Sequence, residues 1–367
     1  MKRIWVLAAL VCLLVSGCKR IYPNEYIHVA EHNAPYAYKD DSSQEQVPRT
    51  PTASDYYALR SVLSGFVASG VEHGLVQLVS YRGDEEQDLK RVTVYLTEED
   101  PICAYAIDYI TLERTQTEEG SLVSVDAVYR RSVGEIESIQ FVRGNDAALG
   151  IMRNAMTQFH SSATIRISGY TEEDFVRSMT DYCMQHPDLM PVIPEISAAV
   201  YPDTGNVRVV EMRFRYPQDS QAMKNMRSEA AAVLSSAYSY IRYAEEDEQL
   251  RLMAGYFSSR FPAQEDPEAS FYSLLCQGVG NSAAYASVVY YLSVKAGLDC
   301  RIVSGSREGE PYYWNIISLE GSFYHFDFFE AARKGQAPEK MTDSQMTDYD
   351  WDREAYPACT GEKEQTD

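Results

Sequence analysis

Apolar residues recur along most of the chain in one of two rhythms, helical or alternating, and the switches between them place the elements. From about Ser54 to Tyr216 one order of rhythms occurs twice. In the first pass a helical period over Asp55–Ala68 gives way to strand alternation over Gly74–Tyr81 and then to a helix opening at Asp84. A hairpin follows, pairing Ala104–Glu113 with Ser121–Arg130. In the second pass Asn145–Phe159 is a helix, Ser162–Tyr170 a strand and Thr171–Gln185 a helix. Its hairpin pairs Glu195–Tyr201 with Val207–Tyr216 across Pro202-Asp203-Thr204-Gly205. Paired landmarks, Ser80-Tyr81 against Gly169-Tyr170 and Val128-Tyr129-Arg130 against Arg213-Phe214-Arg215, support a duplicated unit. Two α+β repeats are therefore expected, over residues 54–138 and 139–218. Neither carries a nucleophile, a metal cluster or a phosphate loop, so their expected role is as spacers or binding modules.

Helical period returns over Ser220–Tyr243 and Glu245–Ser259, and the segment from Pro262 to Pro267 breaks it. The next stretch, Ser270 to Phe328, reads as a helix followed by a three-stranded meander. Asn281 is a helix N-cap, Ser282–Ala296 is apolar nearly all round, and Gly297 stands where a left-handed C-cap belongs. A helix without a polar face is a buried helix. The strands are Cys300–Ser304, Tyr312–Ser318 and Ser322–Phe328, separated by the turn residues Gly305, Gly309, Pro311 and Gly321.

The residues of this stretch resemble the transglutaminase-like (papain-like) cysteine-enzyme superfamily. Tyr272, Leu275 and Gly278 match that family's first block, and Tyr285, Ala286, Gly297 and Leu298 its nucleophile helix. Trp314 and Asn315 match the histidine strand, and Gly321, Tyr324 and Asp327 the aspartate strand. The resemblance implies a transglutaminase-like domain over residues 219–360, in a chain of the α+β class. In its register the nucleophilic cysteine falls on Ser282, the catalytic histidine on Tyr312, and the third member of the triad on Asp327. Beyond Asp327 the family places Thr and Trp, whereas this chain has Phe328, Phe329 and Glu330.

Two of three triad positions are thus altered, and both alterations remove chemistry. A cysteine at a helix start attacks an amide because the helix N-terminus and an imidazolium depress its pKa. A serine there has no comparable acidity, and a phenol with an ordinary pKa of about 10 is a poor base at neutral pH. The expected function is therefore binding of a peptide, protein or cell-wall ligand without turnover. One alternative keeps an enzyme alive: a hydrolase or acyltransferase with a rearranged site using Cys276 or Ser282 together with His325. Another is a surface scaffold acting through the repeats. No cofactor and no metal are called for, since no CxxC or Cys/His spacing of zinc type occurs.

The N-terminus bears on location. Lys2 and Arg3 precede an apolar run, Ile4–Val15, that is short for a membrane span. Val15-Ser16-Gly17-Cys18 then resembles the bacterial lipobox. That resemblance implies a signal peptide over residues 1–17, acyl chains on Cys18, and an anchor on the extracytoplasmic face of a cell membrane. An ordinary secretory signal with a chance cysteine is the alternative. Residues 18–53 are polar and read as a flexible tether, and 361–367 as a disordered tail. Of the seven cysteines, five lie beyond the anchor: Cys103, Cys183, Cys276, Cys300 and Cys359. Being odd in number, they leave at least one outside any intramolecular disulfide. The formal charge of −21 argues against nucleic acid as a partner, because a phosphate backbone would be repelled.

Overall fold

The computed structural model describes residues 50–118, 120–260 and 264–361. Cys18, most of the tether and residues 362–367 lie outside the described residues. The first unit runs β1 (Thr52–Asp55), α1 (Tyr56–Ala68), β2 (His73–Arg82), α2 (Glu85–Val94), α3 (Pro101–Ala106), β3 (Ile107–Thr117) and β4 (Gly120–Tyr129). Its strands lie in the order β1-β2-β4-β3, with β1 parallel to β2 and the other pairs antiparallel. A short helix, α4 (Val133–Glu137), leads into β5 (Gln140–Arg143), α5 (Asn145–Thr157), β6 (Ser162–Ser168), α6 (Phe175–Gln185), β7 (Glu195–Tyr201) and β8 (Val207–Arg215). Here too the order is β5-β6-β8-β7, with only the first pair parallel. The two passes through the same rhythms therefore build two sheets of one topology.

Three local differences from the sequence expectation have plain causes. The opening strands β1 and β5 leave no trace in the pattern, because four residues such as Thr52-Ala53-Ser54-Asp55 are too few to show alternation. Thr52 and Ala53, expected in the tether, pair with Gln77 and Leu78. The strand expected from Ala104 begins at Ile107, since Asp100 accepts hydrogen bonds from the Ile102 and Cys103 amides and Pro101 needs no donor at a helix start, which nucleates α3. Likewise α6 starts at Phe175 rather than Thr171, behind the Asp174 cap.

The first repeat packs against the outer face of the second sheet. Val209 of β8 is buried in the first repeat's core, beside Tyr105 and Ile107. Tyr105 meets Tyr201 edge-on at 5.7 Å. The helices of the second repeat share a core with the C-terminal part of the chain. Its first elements are α7 (Ser220–Ile241) and α8 (Glu246–Arg260). After a two-residue parallel pair of β9 (Gln264–Glu265) with β10 (Val279–Gly280) comes the buried helix α9 (Ser282–Ala296). Ser287 on α9 donates to the Met184 carbonyl of α6 at 2.6 Å, away from solvent.

The C-terminal sheet is the meander β11 (Cys300–Arg307), β12 (Glu310–Leu319) and β13 (Ser322–Phe326), followed by α10 (Phe328–Lys334) and closed by β14 (Tyr349–Asp350) in the order β13-β12-β11-β14. One face lies on α9, where Asn315 donates to the Ala286 carbonyl at 2.9 Å. The other buries Val303, Trp314 and Ile316 against Met346, Trp351 and Cys359 from the C-terminal segment. Asn281 and Gly297 cap α9 as read from the sequence, Asn281 accepting from the Ala284 amide and Gly297 at φ +96°. No helix among the described residues is long and apolar enough to cross a membrane.

Candidate functional site

The start of α9, the middle strand and the start of α10 meet at one place. Ser282, the first residue of α9, is buried, and its hydroxyl accepts from the Tyr313 amide at 3.3 Å. The neighbouring Tyr312 sends its ring across to Asp327, donating from Oη to Oδ2 at 2.9 Å. Tyr349 of β14 donates to the same oxygen at 2.7 Å. The other carboxylate oxygen accepts from the Glu330 amide at 2.8 Å and so caps α10. The structure thus joins Tyr312 and Tyr349 on Asp327, and places Ser282 against the amide of the residue next to Tyr312.

The electrostatics of this group favour donors over bases. Burial raises the pKa of Asp327, against the pull of the Glu330 amide and the two phenols. Burial, followed by the facing carboxylate, pushes both phenols far above the ordinary tyrosine value. Tyr312 therefore holds its proton at any physiological pH and cannot accept one from Ser282. Arg307 covers the pair, its guanidinium carbon 5.6 Å from the Tyr312 ring and 5.2 Å from that of Tyr349, while Nη1 reaches Glu330 at 2.8 Å. Phe329 packs on the remaining side of Tyr312, at 6.2 Å between ring centres. Among the described residues the Ser282 hydroxyl has the Tyr313 amide, and no imidazole, as a partner.

The alternative pair, Cys276 and His325, is not assembled. Cys276 is exposed in the short π-helix Ser273–Gln277 before β10, in a hollow walled by Glu229, Ala232 and Val233 of α7. His325 has no exposed surface and lies in the C-terminal core, where Trp314 donates from Nε1 to its Nδ1 at 2.9 Å. Nor does His325 share a strand face with Asp327, because β13 ends at Phe326 and Asp327 has turned to cap α10. Cys103, Cys183, Cys300 and Cys359 are buried thiols without disulfides. Burial pushes Cys183, Cys300 and Cys359 up to about 12, so none is a nucleophile at neutral pH.

One cluster has the composition of a metal site: the ligand atoms of His325, Asp343 and Cys359 lie within 4.8 Å of one another. Its hydrogen bonds argue for another role. Because Trp314 donates to Nδ1, the proton of the neutral ring sits on Nε2, which donates to Asp343 Oδ1 at 2.8 Å. A metal on Nε2 would displace that proton and leave an imidazolate. Asp343 also accepts from the Cys359 amide, so the trio pins the C-terminal segment to β13.

Two hollows flank the site. The smaller, about 200 Å³, lies beside Arg307, Asp327, Glu330 and Tyr349. The larger, about 650 Å³, runs between α6 and β11, with Tyr290, Tyr313 and Tyr356 on its walls. Tyr313 links it to Ser282.

No family model matches the chain, and no curated protein does. Among solved structures the chain is similar to a transglutaminase, at 8% identity and a TM-score of 0.24, over 59% of this chain and 63% of that one. It is also similar to calcium-bound LapG of Legionella pneumophila, at 12% identity and a TM-score of 0.27, over 40% of this chain and 86% of that one. A third is a cysteine protease, so described provisionally, from Cytophaga hutchinsonii, at 10% identity and a TM-score of 0.24, over 43% of this chain and 70% of that one. Superpositions this loose carry no functional weight. The resemblance of the C-terminal domain rests on its own residues, in their order, and on where the fold places them.

Proposed function

We propose that this protein is a membrane-anchored binding protein whose C-terminal domain keeps a transglutaminase-like scaffold and has lost the reaction. The observation that carries the reading is the double hydrogen bond on Asp327 Oδ2. The position for an imidazole holds a phenol, that phenol is bound to the carboxylate, and a second phenol occupies the same oxygen. Among the described residues no imidazole or carboxylate hydrogen-bonds the Ser282 hydroxyl, and without such a base a serine hydroxyl is inert toward amides. What such a domain retains is shape: a groove beside a strand, suited to a peptide, protein or wall polymer.

The test is reaction with mechanism-directed probes, mapped by mass spectrometry on the full chain. A fluorophosphonate is expected to leave Ser282 unmodified. Iodoacetamide is expected to alkylate the exposed Cys276 at a rate that His325→Gln does not change. Stoichiometric phosphonylation lost in Ser282→Ala, or a Cys276 rate that collapses in His325→Gln, would restore an enzyme.

Anchoring through acylated Cys18 is the second half of the proposal, supported by the lipobox-like Val15-Ser16-Gly17-Cys18. Cys18→Ser is expected to move the protein from the membrane fraction to the soluble fraction. Unchanged membrane retention would overturn the anchor.

A further inference from the structure

The larger hollow has a feature that the altered triad does not explain: one wall is an unpaired strand edge. In an antiparallel ladder, residues alternate between those whose N–H and C=O face the partner strand and those whose groups face away. The pairing of β11 with β12 can be phased from two bonds. Ser318 donates its amide to the Asp299 carbonyl at 2.8 Å, so Asp299 faces β12, and with it Arg301 and Val303. Ser304 donates its amide to Tyr356 Oη at 3.2 Å, which confirms that the even-numbered residues face outward. The N–H and C=O of Ile302 therefore point away from β12 into the groove. β14 covers β11 only at Ser306 and Arg307, leaving the edge at Ile302 open. Ile302 itself is only half-buried.

The opposite wall is α6 of the second repeat, which presents Val176, Thr180 and Asp181. Charge on the lining is uneven: Asp174, Asp181 and Asp352 against Arg177 and Arg301. Both guanidiniums already face carboxylates, Arg177 the Asp181 side chain at 3.8 Å and Arg301 the Asp299 side chain. The balance favours an incoming cation, in a chain whose formal charge is −21.

We propose that this groove receives an extended polypeptide segment bearing lysine or arginine side chains, which pairs as an added strand with the edge of β11 at Ile302. Main-chain hydrogen bonds to Ile302 hold the segment, the tyrosines of the walls pack its alternate side chains, and the acids of the rim take its cations. The proposal rests on the reading of this domain as a binding module.

The experiment is fluorescence anisotropy on the full chain, using a short fluorescein-labelled peptide of alternating valine and lysine. Saturable binding is expected. Ile302→Pro removes the Ile302 amide, which faces the groove, and leaves the β11–β12 ladder whole. It is expected to weaken binding about tenfold or more, the order of one or two lost hydrogen bonds, while the thermal melt stays in place. A second variant that leaves β11 alone, Asp181→Asn, is expected to weaken binding severalfold and to reduce its salt dependence. The assignment is overturned if the wild-type chain ignores the peptide, if Ile302→Pro melts as wild type and binds as well, or if a valine–glutamate peptide binds equally. A soluble glycan strand bound in place of the peptide would overturn the peptide and leave binding without turnover standing. Cleavage of the peptide would overturn that broader reading instead.

Discussion

Truncation of Trp314 to Ala is expected to destabilise the protein by about 3–5 kcal/mol, the range for emptying a large buried aromatic site. Trp314 is 1% exposed and lies between Tyr349 at 5.2 Å and Trp351 at 5.7 Å, centre to centre. Its indole N–H is also the donor that fixes the His325 tautomer. Removing it therefore leaves both a void and a buried acceptor without its partner. Trp314→Phe restores much of the volume but not the donor, and should fall between wild type and Ala. Urea titrations followed by circular dichroism measure both. A loss below about 1 kcal/mol for Trp314→Ala would mean that the C-terminal segment is not packed over this sheet.

The second large effect is expected at the junction of the repeats. Arg131 and Glu211 are 13% and 6% exposed and meet at 2.7 Å, with the Arg131 guanidinium carbon 4.9 Å from the Tyr105 ring centre. Arg131→Ala strands a buried carboxylate, for which the usual cost is about 3–5 kcal/mol. Arg213 still holds the other Glu211 oxygen at 3.0 Å, so the lower end of that range is expected. Replacing both partners, as in Arg131→Met with Glu211→Met, should recover most of the loss, because no charge is then left buried. If the double variant is as unstable as the single one, the junction depends on the ion pair itself rather than on avoiding an unpaired charge.

Both effects concern scaffolding, and they account for what this chain has kept of the resemblance. Trp314, Asn315, Tyr285 and Gly297 each have a packing or hydrogen-bonding task that needs no reaction: a core aromatic, a bond to the Ala286 carbonyl, a buried ring on α9, a left-handed cap.

The sequence is legible wherever a local rule decides the outcome. Asn281 and Gly297 mark both ends of α9, and the hairpin of Glu195–Tyr201 falls where its alternation and turn residues place it. The matched blocks place Tyr312 and Asp327 in one site, and their side chains hydrogen-bond, while Ser282 reaches the amide of the neighbouring Tyr313. Long-range facts stay hidden. Nothing near Tyr349 in the sequence tells that its phenol reaches the oxygen that Tyr312 holds; its aromatic neighbours indicate only that this segment packs back. His325, Asp343 and Cys359 are far apart in sequence and show no ligand spacing. Helix α10, by contrast, escapes the strand reading although its signals are present: Asp327 as cap, Glu330 in the first turn and Gly335 at the end. The alternation of Ser322–Phe326 runs on through Asp327 and Phe328, so pattern alone carries the strand two residues too far.

Two phenols share one oxygen of Asp327, and their titration reports whether that lock holds. The measurement is NMR of the protein labelled with carbon-13 at tyrosine Cζ, titrated from neutral to alkaline pH, with Tyr312→Phe and Tyr349→Phe assigning the two signals. Tyr312 and Tyr349 are expected to stay protonated through pH values where an ordinary tyrosine, with a pKa of about 10, ionises. Asp327→Asn is expected to shift both resonances. Ionisation of Tyr312 at or below the ordinary value, with no response to Asp327→Asn, would contradict the lock and reopen the site to acid–base chemistry.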